Sequence, residues 1–275
     1  TITFGAAGAP ELFDPFYATD GETFRVTRQM MEGLVGIKPG TADIEPELAT
    51  KWEASADGKE WTFTLREGVK FWDGEAFNAA AVCYNMERMS DQNEVAAGGP
   101  AGYWADVMGG FKKDGADALY QGCTAKDDMT AVIKISRATS KFPTALSLDS
   151  FSMQSPKALK AGDANNVTKQ GEGFGYPAYS KNPVGTGPYQ FVEYDQSVGT
   201  VTLEDGGGRA MLERPQEFNE LLADWMVQLQ ESPEVDDELS HALSASKQHA
   251  GKPFWDTTAV ADGLYDLQVV TTDNA

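Results

Sequence analysis

The residues of this chain best suited to chemistry are few and far apart. His241 and His249 are its only histidines, eight positions apart. Two imidazoles share a metal from one helix at a spacing of four, and no carboxylate motif joins this pair, so both read as surface histidines. No serine sits in a nucleophile elbow, and neither Cys83 nor Cys123 has a local histidine to act as its base. Gly185-Thr186-Gly187 lacks the remaining glycine of a phosphate-binding fingerprint, and it opens a strand pattern instead of a helix. Asn166-Val167-Thr168 has the form of a glycosylation sequon and is given no role. These spacings predict no catalytic centre, no metal and no cofactor. What remains is non-covalent binding, for which Tyr103 and Trp104 are candidates: rings beside a cleft stack on sugars or peptide side chains, although core packing is the better reading of Trp104.

Composition narrows the partners. With 275 residues, 41% of them hydrophobic, the chain is long enough for one large or two small domains with a sizeable core. No apolar run approaches the roughly 20 residues that a membrane-spanning helix needs. The formal net charge of −20 leaves no basic stripe to replace phosphate counterions, which argues against nucleic acid and against adhesion to anionic lipid. The same charge favours a neutral or cationic ligand.

Binding residues need a scaffold, and the scaffold signals concentrate in residues 33–82. Trp61-Thr62-Phe63-Thr64-Leu65-Arg66 alternates large apolar with polar residues, the period of a half-buried strand, and Asp57-Gly58 supplies a hairpin turn before it. Phe71-Trp72-Asp73-Gly74 makes a second turn, after which Asn78 is placed to cap a helix beginning at Ala79. Upstream, Ile2 and Phe4 suggest a short buried strand, so that any targeting segment is expected to have been removed before Thr1. Gly5 to Pro10 is a loop of small residues whose backbone can approach a ligand closely. Phe24, Val26, Met30 and Met31 predict a helix over 21–33 that ends with Gly33 in the left-handed conformation. Downstream, 90–126 reads as an excursion from the sheet, 129–135 as a strand, 142–146 as a short helix, Ser155-Pro156 as a helix start and 162–180 as a loop.

The order of these pieces resembles a known family. EGLVGI, followed by IEPELATKWEASADGKEWTFTLREGVKFWDGEAFNAAAV and later by NPVGTGPYQF, resembles the extracellular solute-binding proteins of ABC importers, family 5, the peptide and nickel class. In that family the long run commonly reads P.LA..W..S.DG...TF.LR.GVKFHDG.PFNA.DV, from which this chain departs mainly at Trp72, where His is common. Leu12-Phe13-Asp14-Pro15-Phe16-Tyr17 is similar to the family's LDP passage, whose loop borders the ligand cleft. The resemblance covers about residues 1–204. It implies an α/β fold, the mixed-sheet lobe of a periplasmic-binding-protein-like (Venus flytrap) architecture. It also implies capture of a small-molecule solute (peptide, sugar or metal chelate) outside the cytoplasm, delivery to a membrane ABC permease, and no catalysis. Family members are commonly lipid-tethered through an N-terminal Cys, which this sequence does not have. Phe13, Asp14, Tyr17 and Trp104 become the candidate ligand contacts. Because an extracytoplasmic compartment permits the bond, the only two cysteines, Cys83 and Cys123, are expected to form a disulfide, worth roughly 4 kcal/mol by chain entropy for a loop of about 40 residues.

Beyond Glu204 the resemblance stops. Family members continue into a whole further lobe, whereas here Asp205-Gly206-Gly207-Gly208 has the composition of a linker. Phe218, Leu221, Leu222, Trp225, Met226 and Leu229 recur at helical spacing, a second helix is expected from 233 to 248, and 253–270 reads as extended. The expected organisation is a lobe at 1–204, a glycine linker or excision junction at 205–208, and a segment at 209–275 packing back on the lobe, with the second lobe truncated. The functional expectation is a solute-binding component of an ABC importer with weak ligand binding. The alternative is a non-transport interaction module that reuses the lobe as a scaffold.

Overall fold

The computed structural model describes residues 2–205 and 266–271. The helices expected over 218–229 and 233–248, both histidines and the glycine run lie outside the described residues.

The Asp57-Gly58 turn organises the first of two four-stranded sheets. Gly58 adopts φ +68° and donates its N–H to Ser55 O, joining β4 (Ala49–Ala54) to β5 (Glu60–Leu65) in an antiparallel hairpin. A positive φ favours glycine, and here space demands it too, since a Cβ would lie 2.8 Å from Ala138 Cβ. β6 (Tyr120–Asp127) and β7 (Thr130–Ile135) complete the order β4-β5-β7-β6. Helix α2 (Ala79–Ser90) starts where expected, Asn78 accepting a hydrogen bond from the Ala81 N–H. Val82, Met86 and Met89 of α2 share one buried cluster with Phe63, Leu65, Ala131 and Ile133 of the strands.

The second sheet draws on distant parts of the chain. Its order is β1 (Ile2–Ala6), β12 (Asp266–Thr271), β11 (Thr200–Asp205) and β10 (Tyr189–Asp195), with β12 parallel to β1 and antiparallel to β11. Helix α1 (Gly21–Met30) covers it, and Val26, Met30, Met31, Phe13, Tyr189, Val201 and Leu203 form its core cluster. Short pairs β2 (Val35–Ile37) with β3 (Ile44–Pro46) and β8 (Thr168–Gln170) with β9 (Gly173–Gly175), and helices α3 (Glu94–Ala97), α4 (Gly102–Met108), α5 (Phe142–Ala145) and α6 (Pro156–Ala161), fill the connections. No helix among the described residues is long and apolar enough to cross a membrane.

Three expectations need correction. Helix α1 ends at Met30 with Met31 extended, before Gly33. Gly33 serves a close approach instead: its N–H donates to Glu47 Oε2, and a Cβ would sit 3.0 Å from Val35 O. The excursion at 90–126 stops at Leu119, because 120–127 is sheet strand β6. Its alternation is hidden by an edge position, by Gly122 at φ +134° and by irregular register near both ends. The loop at 162–180 contains the β8–β9 hairpin, and Gly171 at φ +57° forms its turn.

Candidate functional site

The C-terminal half of α2 carries a buried polar stripe: Asn85, Arg88 and Gln92 follow at helical spacings of three and four, with Gln92 just past the helix end. Arg88 lies at its centre. Its side chain is 3% exposed and that of Asp14 is fully buried, the two joined at 2.5 Å. The remaining Arg88 donors reach Asn165 Oδ1 at 2.9 Å and Ala164 O at 3.2 Å. The guanidinium also lies 5.0 Å from the Phe16 ring centroid and 5.2 Å from that of Tyr17. Asp14 accepts from the Phe16 N–H at 3.2 Å and from Gln154 Nε2 at 3.1 Å. The Tyr17 hydroxyl faces Gln92 Oε1 at 2.8 Å and Ala164 O at 3.0 Å. Asn85 closes the cluster by pairing in both directions with the backbone of Gln154, at 2.8 and 3.1 Å.

This network draws four chain segments together: the loop after β1, the end of α2, the entry to α6 and the residues beyond α6. A buried charge pair is tolerated only when well hydrogen-bonded, and both partners here are. Burial by itself would lower the Arg88 pKa, but Asp14 and the surrounding tyrosines outweigh it and hold the guanidinium above its usual range. Burial pushes the Tyr17 phenol up to about 12, against the pull of Arg88. At neutral pH the cluster therefore holds a fixed cation and a neutral phenol, suited to stiffening a loop and not to moving protons.

A second seam joins the two sheets. The turn at 71–74 docks on Gly185 to Gly187: the Trp72 N–H donates to Gly185 O at 3.1 Å and its indole Nε1 to Gly187 O at 2.9 Å. Beneath them, Gly187 N–H donates to Met30 O at 2.9 Å, and a Cβ on Gly185 would fall 2.2 Å from that same oxygen. The glycines of the NPVGTGPY passage thus permit backbone contact with α1. Trp72, in the position where histidine is common in the resembled family, becomes a bolt across this seam.

The four sequence-predicted ligand residues are all buried, Phe13 at 2%, Asp14 at 0%, Tyr17 at 1% and Trp104 at 0% exposure. The structure brings Asp14 and Tyr17 into one network. It places Phe13 in the core of the second sheet, against Phe191 and Tyr194. Trp104 packs on Phe16, Tyr120 and Phe151 and donates its Nε1 to Gly110 O. Ring size and loop position mark a residue for a cleft or for a core alike, which is why the sequence does not separate the two. The sequence reading did not single out Arg88, Asn85 or Gln154, although the polar residues 85, 88 and 92 at helical spacing were a readable signal. The disulfide forms as expected: Cys83 and Cys123 bond across 40 residues, tying α2 to β6. Among the described residues no group of three or more His, Cys, Asp or Glu could hold a metal.

The family model for bacterial extracellular solute-binding proteins, family 5 (middle region), matches residues 43–205, more than half of the 275-residue chain. The chain belongs to this family. It is 32% identical to heme-binding protein A of Haemophilus influenzae over 228 residues, covering 78% of this chain and 39% of that protein. It is 31% identical to the dipeptide-binding protein of Escherichia coli over 210 residues, covering 71% and 36%. Among solved structures, DppA of Helicobacter pylori in complex with the peptide STSA superposes with a TM-score of 0.59 at 28% identity, covering 74% of this chain and 39% of that one. The dipeptide-binding protein of a Pseudoalteromonas species in complex with Met-Leu gives 0.60 at 29%, with the same coverage. The matched part of this family 5 chain is thus the mixed α/β lobe of periplasmic binding proteins. The chain spans somewhat under two fifths of the length of these relatives. The family is one of extracellular binding proteins and not of enzymes, and the disulfide accords with an oxidising compartment.

Proposed function

We propose that this chain supplies one lobe of an extracytoplasmic solute-binding component of an ABC import system, with a peptide as its solute and a membrane permease as its partner. The observation that carries this reading is the match of residues 43–205 to the family, joined to the likeness at 28% and 29% identity to two structures holding short peptides. Residues 1–204 are read as the lobe, 205–208 as the junction where relatives carry their second lobe, and 209–275 as the return segment. The position of β12 between β1 and β11 supports such a return. Phe13, Asp14, Tyr17 and Trp104 are read as serving the solute wall from behind, by holding the loop at 12–18 in shape.

In two-lobed binding proteins affinity comes from closure, which buries the ligand and strips water from its polar contacts. A single lobe leaves one face of the ligand hydrated while the cost of immobilising it remains. Dissociation constants near millimolar, about −4 kcal/mol, are therefore expected. Calorimetry of the full chain against Met-Leu, STSA, a sugar panel and a nickel–histidine chelate tests this. Weak binding confined to the peptides supports the reading. A micromolar complex would mean that residues 209–275 furnish a second wall, and preference for sugar or chelate would replace peptide as the solute. Binding to a partner protein with no affinity for any solute would favour an interaction module built on the lobe.

A further inference from the structure

The Asp14–Arg88 network lies behind the loop that the proposed function turns toward the solute, and its geometry assigns a role that no residue of the loop performs alone. Arg88 donates into two other segments, to the Asp14 carboxylate in the loop after β1 and to Ala164 O and Asn165 Oδ1 beyond α6, and Asp14 extends the link to Gln154 at the entry to α6. Its neighbours repeat the pattern. Gln92 meets the Tyr17 hydroxyl at 2.8 Å while donating to Arg88 O at 2.7 Å, and Asn165 returns a bond to that same carbonyl at 3.2 Å. Asn93, cap of α3, donates to Asn165 O and Val167 O. The loop itself contributes few bonds of its own. Tyr17 N–H donates to Asp14 O, Ala18 N–H to Pro15 O and Phe13 N–H to Ser180 O, while Phe16 N–H depends on the Asp14 side chain that Arg88 holds.

We propose that Arg88 is a positioning residue for solute binding: from the end of α2 it sets the conformation of the loop at 12–18 without touching the solute. The argument is one of chemistry and shape. Only a planar fork with several donors can span Asp14 and Asn165 while lying against the rings of Phe16 and Tyr17. A lysine would keep the charge opposite Asp14, but it would lose the second and third directions. The segments joined would then be free to shift separately, with the charge pair intact. The link to binding rests on the proposed function; the fixing of the loop does not.

The experiment therefore has two readouts on the full chain, wild type and Arg88→Lys. The first is amide hydrogen exchange. The amides of Phe13, Phe16, Tyr17 and Ala18 are expected to exchange at least tenfold faster in the variant, while those of β5 and β7 stay within about twofold. A uniform rise in both groups makes Arg88 a general stability residue and overturns the assignment, as does unchanged exchange in the loop. Should Arg88→Lys not fold, Asp14→Asn combined with Arg88→Met, which leaves no buried charge unpaired, takes its place under the same criteria. The second readout is titration with Met-Leu. Affinity weakened about tenfold in the variant supports the positioning role in binding, and equal affinity overturns it. Absence of binding in the wild type strikes the proposed function and with it the binding half of the assignment, leaving loop fixing to be decided by exchange alone.

Discussion

The two four-stranded sheets are assembled in opposite ways. The sheet β4-β5-β7-β6 is closed within residues 49–127 and 130–135, every neighbour antiparallel, with a turn glycine and a disulfide between α2 and β6 as local supports. The sheet β1-β12-β11-β10 takes its strands from 2–6, 189–205 and 266–271 and includes a parallel pair. The first sheet is the more local of the two: its most distant partners, Glu60 and Lys134, are 74 positions apart, whereas Ile2 and Leu267 of the second pair across 265, and the entropy of closing a loop grows with that separation. The difference explains where the molecule spends its buried polar contacts. Both the Asp14–Arg88 network and the Trp72 seam join elements of the distant sheet to the local one, and the apolar interior of the local sheet needs no such device.

Breaking the ion pair tests this contrast most severely. Asp14→Ala leaves the Arg88 cation buried and unpaired, and a loss of about 3–5 kcal/mol is expected by urea denaturation. If the contrast holds, exchange protection fails first in β10, β11 and the loop at 12–18, and last in β5 and β7. Simultaneous failure would mean that the two sheets form one cooperative unit.

Gly185→Ala comes next. Its Cβ would be driven to 2.2 Å from Met30 O and 2.7 Å from Met31 Sδ, so the seam must open. Roughly 3 kcal/mol of destabilisation is expected, at the upper end for overpacking, with tryptophan fluorescence reporting altered surroundings of Trp72. A variant as stable as wild type would show that the backbone at Met30 yields easily.

Removing the disulfide through Cys83→Ser with Cys123→Ser acts on the local sheet instead. About 2–4 kcal/mol should be lost, read as a lower midpoint with β10 and β11 unaffected until global unfolding. Mass spectrometry of the alkylated, unreduced wild type checks the bond itself, and two labelled thiols would reject it.

Trp72→Phe is gentler. It deletes the hydrogen bond from Nε1 to Gly187 O while keeping most of the ring, and about 1 kcal/mol is expected. Trp72→His, which installs the residue more common in the family, separates loss of the donor from loss of ring area.

The smallest effect concerns Asp149, paired with Arg28 across the second sheet's helix. Burial raises its pKa above the ordinary 3.8, with Arg28 opposing. A carboxyl raised in the folded state favours folding when protonated, so this contribution is complete below about pH 4 and disappears as pH rises through the folded value. Asp149→Asn should therefore leave stability flatter than wild type above pH 4, with a change under about 1 kcal/mol at neutral pH because Arg28 is largely exposed. Thermal midpoints between pH 3 and 7 check the sign, and a variant whose midpoint falls relative to wild type as pH rises would reverse it.

What the sequence determined by itself was the local chemistry. Asp57-Gly58, the alternation of 61–66, Asn78 before an apolar helix and Ser155-Pro156 each act within a few residues, so their turns, strand and helix starts could be read without knowing what they pack against. The same passages, taken in order, carried the family. Tertiary structure decided everything that depends on partners distant in sequence. Asp14 and Arg88 are 74 positions apart, Asn85 and Gln154 69, and Trp72 and Gly187 115. A loop aspartate near aromatic residues looks the same in sequence whether it faces a solute or a buried guanidinium. Only the fold brings α2 behind that loop, where low dielectric strengthens the pairing of the buried Asp14 carboxylate with its matched donors.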